Sequence, residues 1–266
     1  MKNFGSSLAN SNIKAVNAYG WGVQFKKGSI QNFIVSTFGV MHLGTRIRNR
    51  ILESILDKRN LSKKTLLDAG CGIGLASIYY SRRFKNITSV DLETHKINQA
   101  KTLAKGSLVK NINFKDVDLT KSPFTKEKFN MIICFEVIEH VEDDFAMLKG
   151  FSRMLKRDGE LILSFPSKTL MSKIAQKSLD HVHVGYVPSD IKRMLNKLNM
   201  KIVEKYSFGK SILGKLVVFV DFLLRKSFPI IASALFPIFY PILILDLYLP
   251  EFGIPRGYIL VIRKNK

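Results

Sequence analysis

From residue 65 onward the chain alternates short apolar runs with helical stretches, and few folds accept that order. The runs are TLLDA at 65–69, ITSVD at 87–91, FNMIICF at 129–135 and GELILSF at 159–165, with a weaker NINFK at 111–115. Each is short and rich in Ile, Val, Leu or Phe, as strands buried on both faces are. Helical spacing fills 74–84, 95–105 and 143–156, and a further helix opens at Pro188-Ser189-Asp190. Proline suits a first helical turn, where its missing N–H has no partner to lose. The order predicts an α/β fold, a doubly wound and mostly parallel sheet with helices on both faces. MKIVEKYSF at 200–208 and GYILVIRK at 257–264 supply two more strands.

The first strand runs into LLDAGCGIGLAS. Asp68 closes the strand, and Gly70, Gly72 and Gly74 take alternate positions before the next helix. Without Cβ atoms the backbone turns sharply there and meets a ligand closely. Doubly wound sheets bind ligands at the carboxyl ends of their strands. The spacing is not the dinucleotide fingerprint G-x-G-x-x-G, because the third glycine comes one residue early. Asp91 closes the second strand, where a carboxylate accepts hydrogen bonds from ribose hydroxyls. The competing reading is a tight strand-helix turn with no ligand.

With SVDLE at 89–93, DL and PF around 118–124, FNMIICFEVIEHV at 129–141 and MLKRDGELILSFPS at 154–167, the stretch 65–165 resembles class I S-adenosylmethionine-dependent methyltransferases. It is most similar to the group that includes the ubiquinone and menaquinone methyltransferases. The resemblance implies a seven-stranded Rossmann-like sheet whose last strand runs antiparallel, and S-adenosylmethionine as cofactor. It implies that Asp68, Gly70, Gly72 and Gly74 line the methionine part and that Asp91 and Leu92 hold the ribose side. Asp118 and Leu119 would flank the adenine, and Phe135 would lie near the sulfur. One glycine in Arg157-Asp158-Gly159 replaces the pair the family usually carries there.

Methyl transfer from a sulfonium is a direct displacement, so alignment of the reactants is the main demand. A base is needed only where the nucleophile must lose a proton. The candidates are His140 and Glu136 in FEVIEHV, and His181 in LDHVHVGYVPSD, with Glu139, His183 and Tyr186 nearby. The structural alternatives are a capping role for His140 and a solvent-facing pair for His181 and His183. Glu139, His181 and His183 are workable ligand types, but no further spaced ligand accompanies them and no metal is expected. Residues 42–57, HLGTRIRNRILESILD, have helical spacing, and Arg46 or Arg50 would cover the cofactor's carboxylate.

Between the last two strands lies 209–256, with FPIIASALFPIFYPILIL at 228–245. Both flanking strands belong to one sheet, so a single membrane crossing is excluded. The earlier apolar piece, 212–224, carries Lys215 and Asp221 and is too short to span hydrocarbon. An in-plane, shallowly inserted helix pair beside the ligand edge is expected; a lid or an interface is the alternative. The chain's net charge of +21 favours an anionic membrane surface.

The basic residues are scattered without an aromatic-interleaved patch, which weighs against nucleic acid, although RNA methylation stands as an alternative. An inactive membrane scaffold is another. Two cysteines and no visible export signal predict a cytoplasmic, peripherally membrane-associated protein. The expected division is a helical cap at 1–60, a cofactor-binding core at 61–208, the apolar insertion at 209–256 and the last strand at 257–266. The expected acceptor is a hydrophobic or lipid-linked small molecule.

Overall fold

The computed structural model describes residues 42–265, apart from 122, 123, 125–127, 170, 171, 174, 175 and 177–180. Most of the expected N-terminal cap, residues 1–41, lies outside the described residues. The strands are Thr65–Ala69 (β1), Asn86–Asp91 (β2), Ile112–Asp116 (β3), Phe129–Phe135 (β4), Leu155–Pro166 (β5), Met200–Phe208 (β6) and Gly257–Lys264 (β7). They form one sheet in the order β3-β2-β1-β4-β5-β7-β6. Pairing is parallel from β3 to β5, and β7 runs antiparallel to both its neighbours. The doubly wound reading of the sequence holds, including the reversed last strand.

Alternate residues of each central strand feed two cores. On one face Leu66, Met131 and Ile133 pack under Leu43–Asp57 (α1), Leu75–Tyr80 (α2) and Thr94–Gly106 (α3). On the other face Leu67, Ile132 and Cys134 pack under Asp144–Met154 (α4) and Pro188–Lys197 (α5). The edge strand β6 alternates half-buried and exposed positions between its buried ends, with Lys201 and Lys205 among the exposed ones.

The insertion folds as three helices, Ile212–Ser227 (α6), Pro229–Ala234 (α7) and Phe236–Asp246 (α8). Pro229 and Pro237 sit in first helical turns, whereas Pro241 lies inside α8. The prolines therefore divide an apolar run that would otherwise continue as one helix. No helix among the described residues is long and apolar enough to cross a membrane. Val217, Phe236 and Leu243 are buried on the sheet face that α1 shares.

One buried carboxylate closes the base of the insertion. Asp246, at the end of α8, accepts from the backbone N–H of Lys210 at 3.0 Å, and from the N–H and Oγ of Ser211 at 2.8 and 2.6 Å. Ser211 in turn caps α6 by accepting from the Gly214 N–H at 3.0 Å. A Cβ on Gly214 would fall 2.1 Å from Asp246 Oδ1, so glycine permits the closure.

Candidate active site

The turn after β1 is made by its glycines. Gly70, Gly72 and Gly74 have φ of 76°, 54° and 76°, where a side chain is strained. The N–H groups of Gly70 and Cys71 both donate to Val90 O at 2.8 Å, which folds the turn onto β2. A Cβ at Gly70 would lie 2.2 Å from Val137 Cγ2, and one at Gly74 would lie 2.6 Å from Phe114 Cε1. At Gly72 a Cβ would meet nothing within 4 Å. Two glycines therefore serve packing, and the third faces open space where a ligand's backbone contacts would fall.

Asp91 borders that space. Its Oδ2 accepts from the Gly72 N–H at 2.8 Å and its Oδ1 from the Glu93 N–H at 3.1 Å. Leu92, next in line, is 71% exposed, an apolar surface fit to lie against a nucleoside. Asp68 is instead buried behind the turn and accepts from the Ser77 hydroxyl. Burial, against the lowering effect of Ser77 and with a further push from the Asp91 charge, raises its carboxyl to about 6. Asp118 accepts from the N–H and Oγ1 of Thr120 at 3.0 and 2.6 Å, and those bonds hold it below the usual carboxylate range. Leu119 is buried, and Phe135 packs at the end of β4.

Beyond β4 the chain turns through Glu136 with φ of 55°, a left-handed conformation for a residue with a side chain. Glu136 Oε1 accepts from Ser164 Oγ at 2.8 Å, and Arg48 stands 3.3 Å from Oε2. His140 is exposed, with its ring edge-on to His181 at 4.6 Å. Glu139 is buried, and burial followed by the neighbouring Glu136 pushes its carboxyl up. Ligand atoms of Glu139, His140 and His181 lie within 4.8 Å of one another, and a divalent ion could share them. His183, grouped with Glu139 and His181 in the sequence reading, has its Nε2 3.1 Å from Val141 O. Its N–H donates to Glu139 O at 3.0 Å, which pins the 181–186 loop to the β4 exit.

The structure places the arginines of α1 in three different settings. Arg46 is buried over the rings of Phe236 and Tyr240, 5.8 and 5.2 Å from their centroids. Arg50 borders a groove of about 520 Å³ with Tyr79, Tyr206 and Tyr248. Arg48 is the one that reaches Glu136. The sequence reading did not single out His42, Arg225 or Arg256. His42 accepts from the Thr45 N–H at 3.2 Å as the cap of α1. Burial first, then Arg225, Arg48 and Arg256, lower its ring to about 3. No local pattern unites these residues, which come from α1, α6 and the entry to β7.

Comparison with known proteins agrees with this geometry. A family model described as a methyltransferase domain matches residues 67–163. A ubiquinone biosynthesis O-methyltransferase of Actinobacillus pleuropneumoniae is 31% identical over 139 residues, 50% of this chain and 58% of that protein. The Rickettsia akari enzyme of the same name is 31% identical over 160 residues, 58% of this chain and 61% of that protein. The chain thus spans about three fifths of the length of these curated relatives.

Among solved structures, a magnesium protoporphyrin IX methyltransferase from Synechocystis with bound S-adenosylhomocysteine superposes with a TM-score of 0.55. It is 17% identical, over 98% of this chain and 96% of that one. The [4+2]-cyclase SpnF superposes at 0.57 with 14% identity, over 83% and 82%, so this fold alone does not fix the reaction. Residues 67–163 therefore match a methyltransferase domain, and the curated relatives that share this stretch are methyltransferases by name.

Proposed function

We propose that this domain transfers the methyl group of S-adenosylmethionine to an oxygen of a lipophilic acceptor presented at a membrane surface. The Gly70–Gly74 turn and Asp91 receive the cofactor, with Asp91 exchanging its Gly72 bond for the ribose hydroxyls. The acceptor oxygen attacks the methyl carbon as the carbon–sulfur bond breaks, leaving S-adenosylhomocysteine. His140, exposed at the same edge and braced by His181, takes the acceptor's proton, and Glu136 with Arg48 shapes the space between.

The observation that carries the acceptor class is the outer face of the insertion. Ile212, Leu216, Phe219 and Leu223 lie at helical spacing along α6 and are 63, 55, 43 and 47% exposed. Phe228, Ile231, Ile238, Leu245 and Phe252 extend the exposed apolar surface. The inner side of the same helices is packed, so the molecule is left with a flank that water does not favour. Exposed apolar patches of this kind mark lipid or protein contact. The net charge of +21 adds attraction to an anionic leaflet. The insertion leaves the end of β6 and re-enters at β7, on the sheet edge that bears the glycine turn. A lipid-soluble acceptor would reach the methyl donor from that flank.

Two measurements test this reading. Calorimetry should show S-adenosylhomocysteine binding that Gly72→Ala weakens. Flotation with phosphatidylglycerol vesicles should carry the chain upward in a salt-sensitive way, and Leu216→Glu with Phe219→Glu should abolish it. Binding of the nucleoside without flotation, together with self-association removed by the same two changes, would assign the flank to a second copy instead. Membranes incubated with methyl-labelled cofactor and analysed by mass spectrometry then identify the product.

A further inference from the structure

The rim between β5, β6 and β7 holds an arginine with one guanidinium nitrogen that no hydrogen-bond partner meets among the described residues. Arg256 ends the insertion. Its N–H donates to Phe208 O at 3.0 Å and Gly209 O at 3.1 Å, and its carbonyl accepts from the Ser167 N–H at 3.0 Å. These bonds fix the residue between the ends of β5 and β6. Its guanidinium is largely covered, and that burial lowers its pKa. Nη1 has no hydrogen-bond partner among the described residues. The other arginines of the rim are answered: Arg48 by Glu136 at 3.3 Å and Arg225 by Asp221 at 2.9 Å.

Two further buried atoms at this rim lack partners among the described residues. One is Ser167 Oγ, on the fully buried residue whose backbone holds Arg256. The other is Glu139 Oε2, whose carboxyl lies within electrostatic reach of Arg256. Folded proteins leave few buried polar atoms unpaired, so such a group points to a ligand. A guanidinium is permanently charged, and its planar fork matches a carboxylate or a phosphate.

We propose that Arg256, with the Ser167 hydroxyl beside it, binds an oxyanion carried by the methyl acceptor, a carboxylate or a phosphate, and so selects anionic over neutral lipophilic molecules. The proposal rests on the reading of the insertion as the acceptor's flank. It goes further by giving the acceptor a charge.

The test is calorimetry on the full chain saturated with S-adenosylhomocysteine, using dodecyl phosphate, dodecanoate and dodecanol as probes. The wild type should bind at least one anion about 30-fold more tightly than the alcohol, in the range expected for a buried charge contact. Arg256→Met should reduce that anion to the level of dodecanol, and Arg256→Lys should retain part of the preference. S-adenosylhomocysteine affinity reports whether each variant is folded; if the methionine variant fails that check, the lysine variant and Ser167→Ala decide. Equal binding of all three probes by the wild type overturns the proposal, as does a preference that survives Arg256→Met. Arg256→Met that abolishes vesicle flotation while sparing dodecyl phosphate assigns the arginine to a phospholipid headgroup and overturns it too. A wild type that binds no S-adenosylhomocysteine overturns the enzyme reading itself, a different failure from loss of charge selectivity.

Discussion

The two halves of the ligand edge are built from different materials. At the β1–β2 end the surface is backbone: three left-handed glycines, N–H groups turned onto Val90 and one carboxylate, Asp91. At the β5–β7–β6 end it is side chains from distant segments, with Arg48, Arg225 and Arg256 set among Glu136, Glu139 and Asp221. Backbone geometry serves a ligand that never changes, because it tolerates little substitution. Side chains borrowed from α1 and an insertion can be exchanged without rebuilding the sheet. On the proposed reading, the half that receives the cofactor is built into the fold, whereas the half that meets the acceptor belongs to this chain.

The sharpest test of that contrast lies within the glycine turn. Gly70→Ala should cost about 2–5 kcal/mol, since left-handed strain and a clash with Val137 add together. Gly72→Ala should cost only about 1 kcal/mol, for strain alone. It should still impair nucleoside binding, because its methyl points into the open space. Urea denaturation and calorimetry on the same two proteins separate packing from recognition; equal stability losses would erase the distinction.

Next in size is a pH effect at Asp68. Its folded carboxyl is raised from 3.8 to about 6, so its favourable contribution is complete below the unfolded value and is lost as pH rises through about 6. Asp68→Asn should therefore stabilise the cofactor-free chain at pH 8, by up to about 3 kcal/mol, and change little at pH 4. A pH-independent difference between the two urea midpoints would remove burial as the cause.

The insertion offers the complementary tests. Asp246→Ala leaves the buried donors of Lys210 and Ser211 without their acceptor, at a cost of about 2–3 kcal/mol. Amide exchange should accelerate over 209–246 and stay unchanged in β1, β2 and β4. Exchange that accelerates throughout would show the two halves to be one cooperative unit. Smallest is Arg46→Ala, about 1–2 kcal/mol, through lost stacking on Phe236 and Tyr240. Its thermal midpoint should fall while nucleoside affinity stays unchanged; reduced affinity would return Arg46 to the cofactor role that the sequence suggested.

Reading the chain residue by residue succeeded where a short segment contains its own cause. The bounds of β1, β4, β6 and β7 match those read from the sequence; in β1, β4 and β7 burial on both faces requires nearly continuous apolar sequence. The glycine turn and Asp91 were legible because strand, turn and helix are contiguous. The helix α6 runs three residues past the apolar piece 212–224, through Arg225, Lys226 and Ser227, and Asp221 one turn earlier pairs with Arg225.

By itself, the sequence determined the parallel sheet and the glycine turn after its first strand, because hydrophobic period and Cβ-free turns act over a few residues; the reversed last strand followed from the family resemblance. Only the tertiary structure decided which arginine of α1 reaches Glu136, that Asp246 closes the insertion and that one guanidinium nitrogen of Arg256 has no hydrogen-bond partner among the described residues. Those outcomes depend on how helices far apart in the chain rotate against one sheet, and electrostatic partners across such distances leave no trace in local spacing.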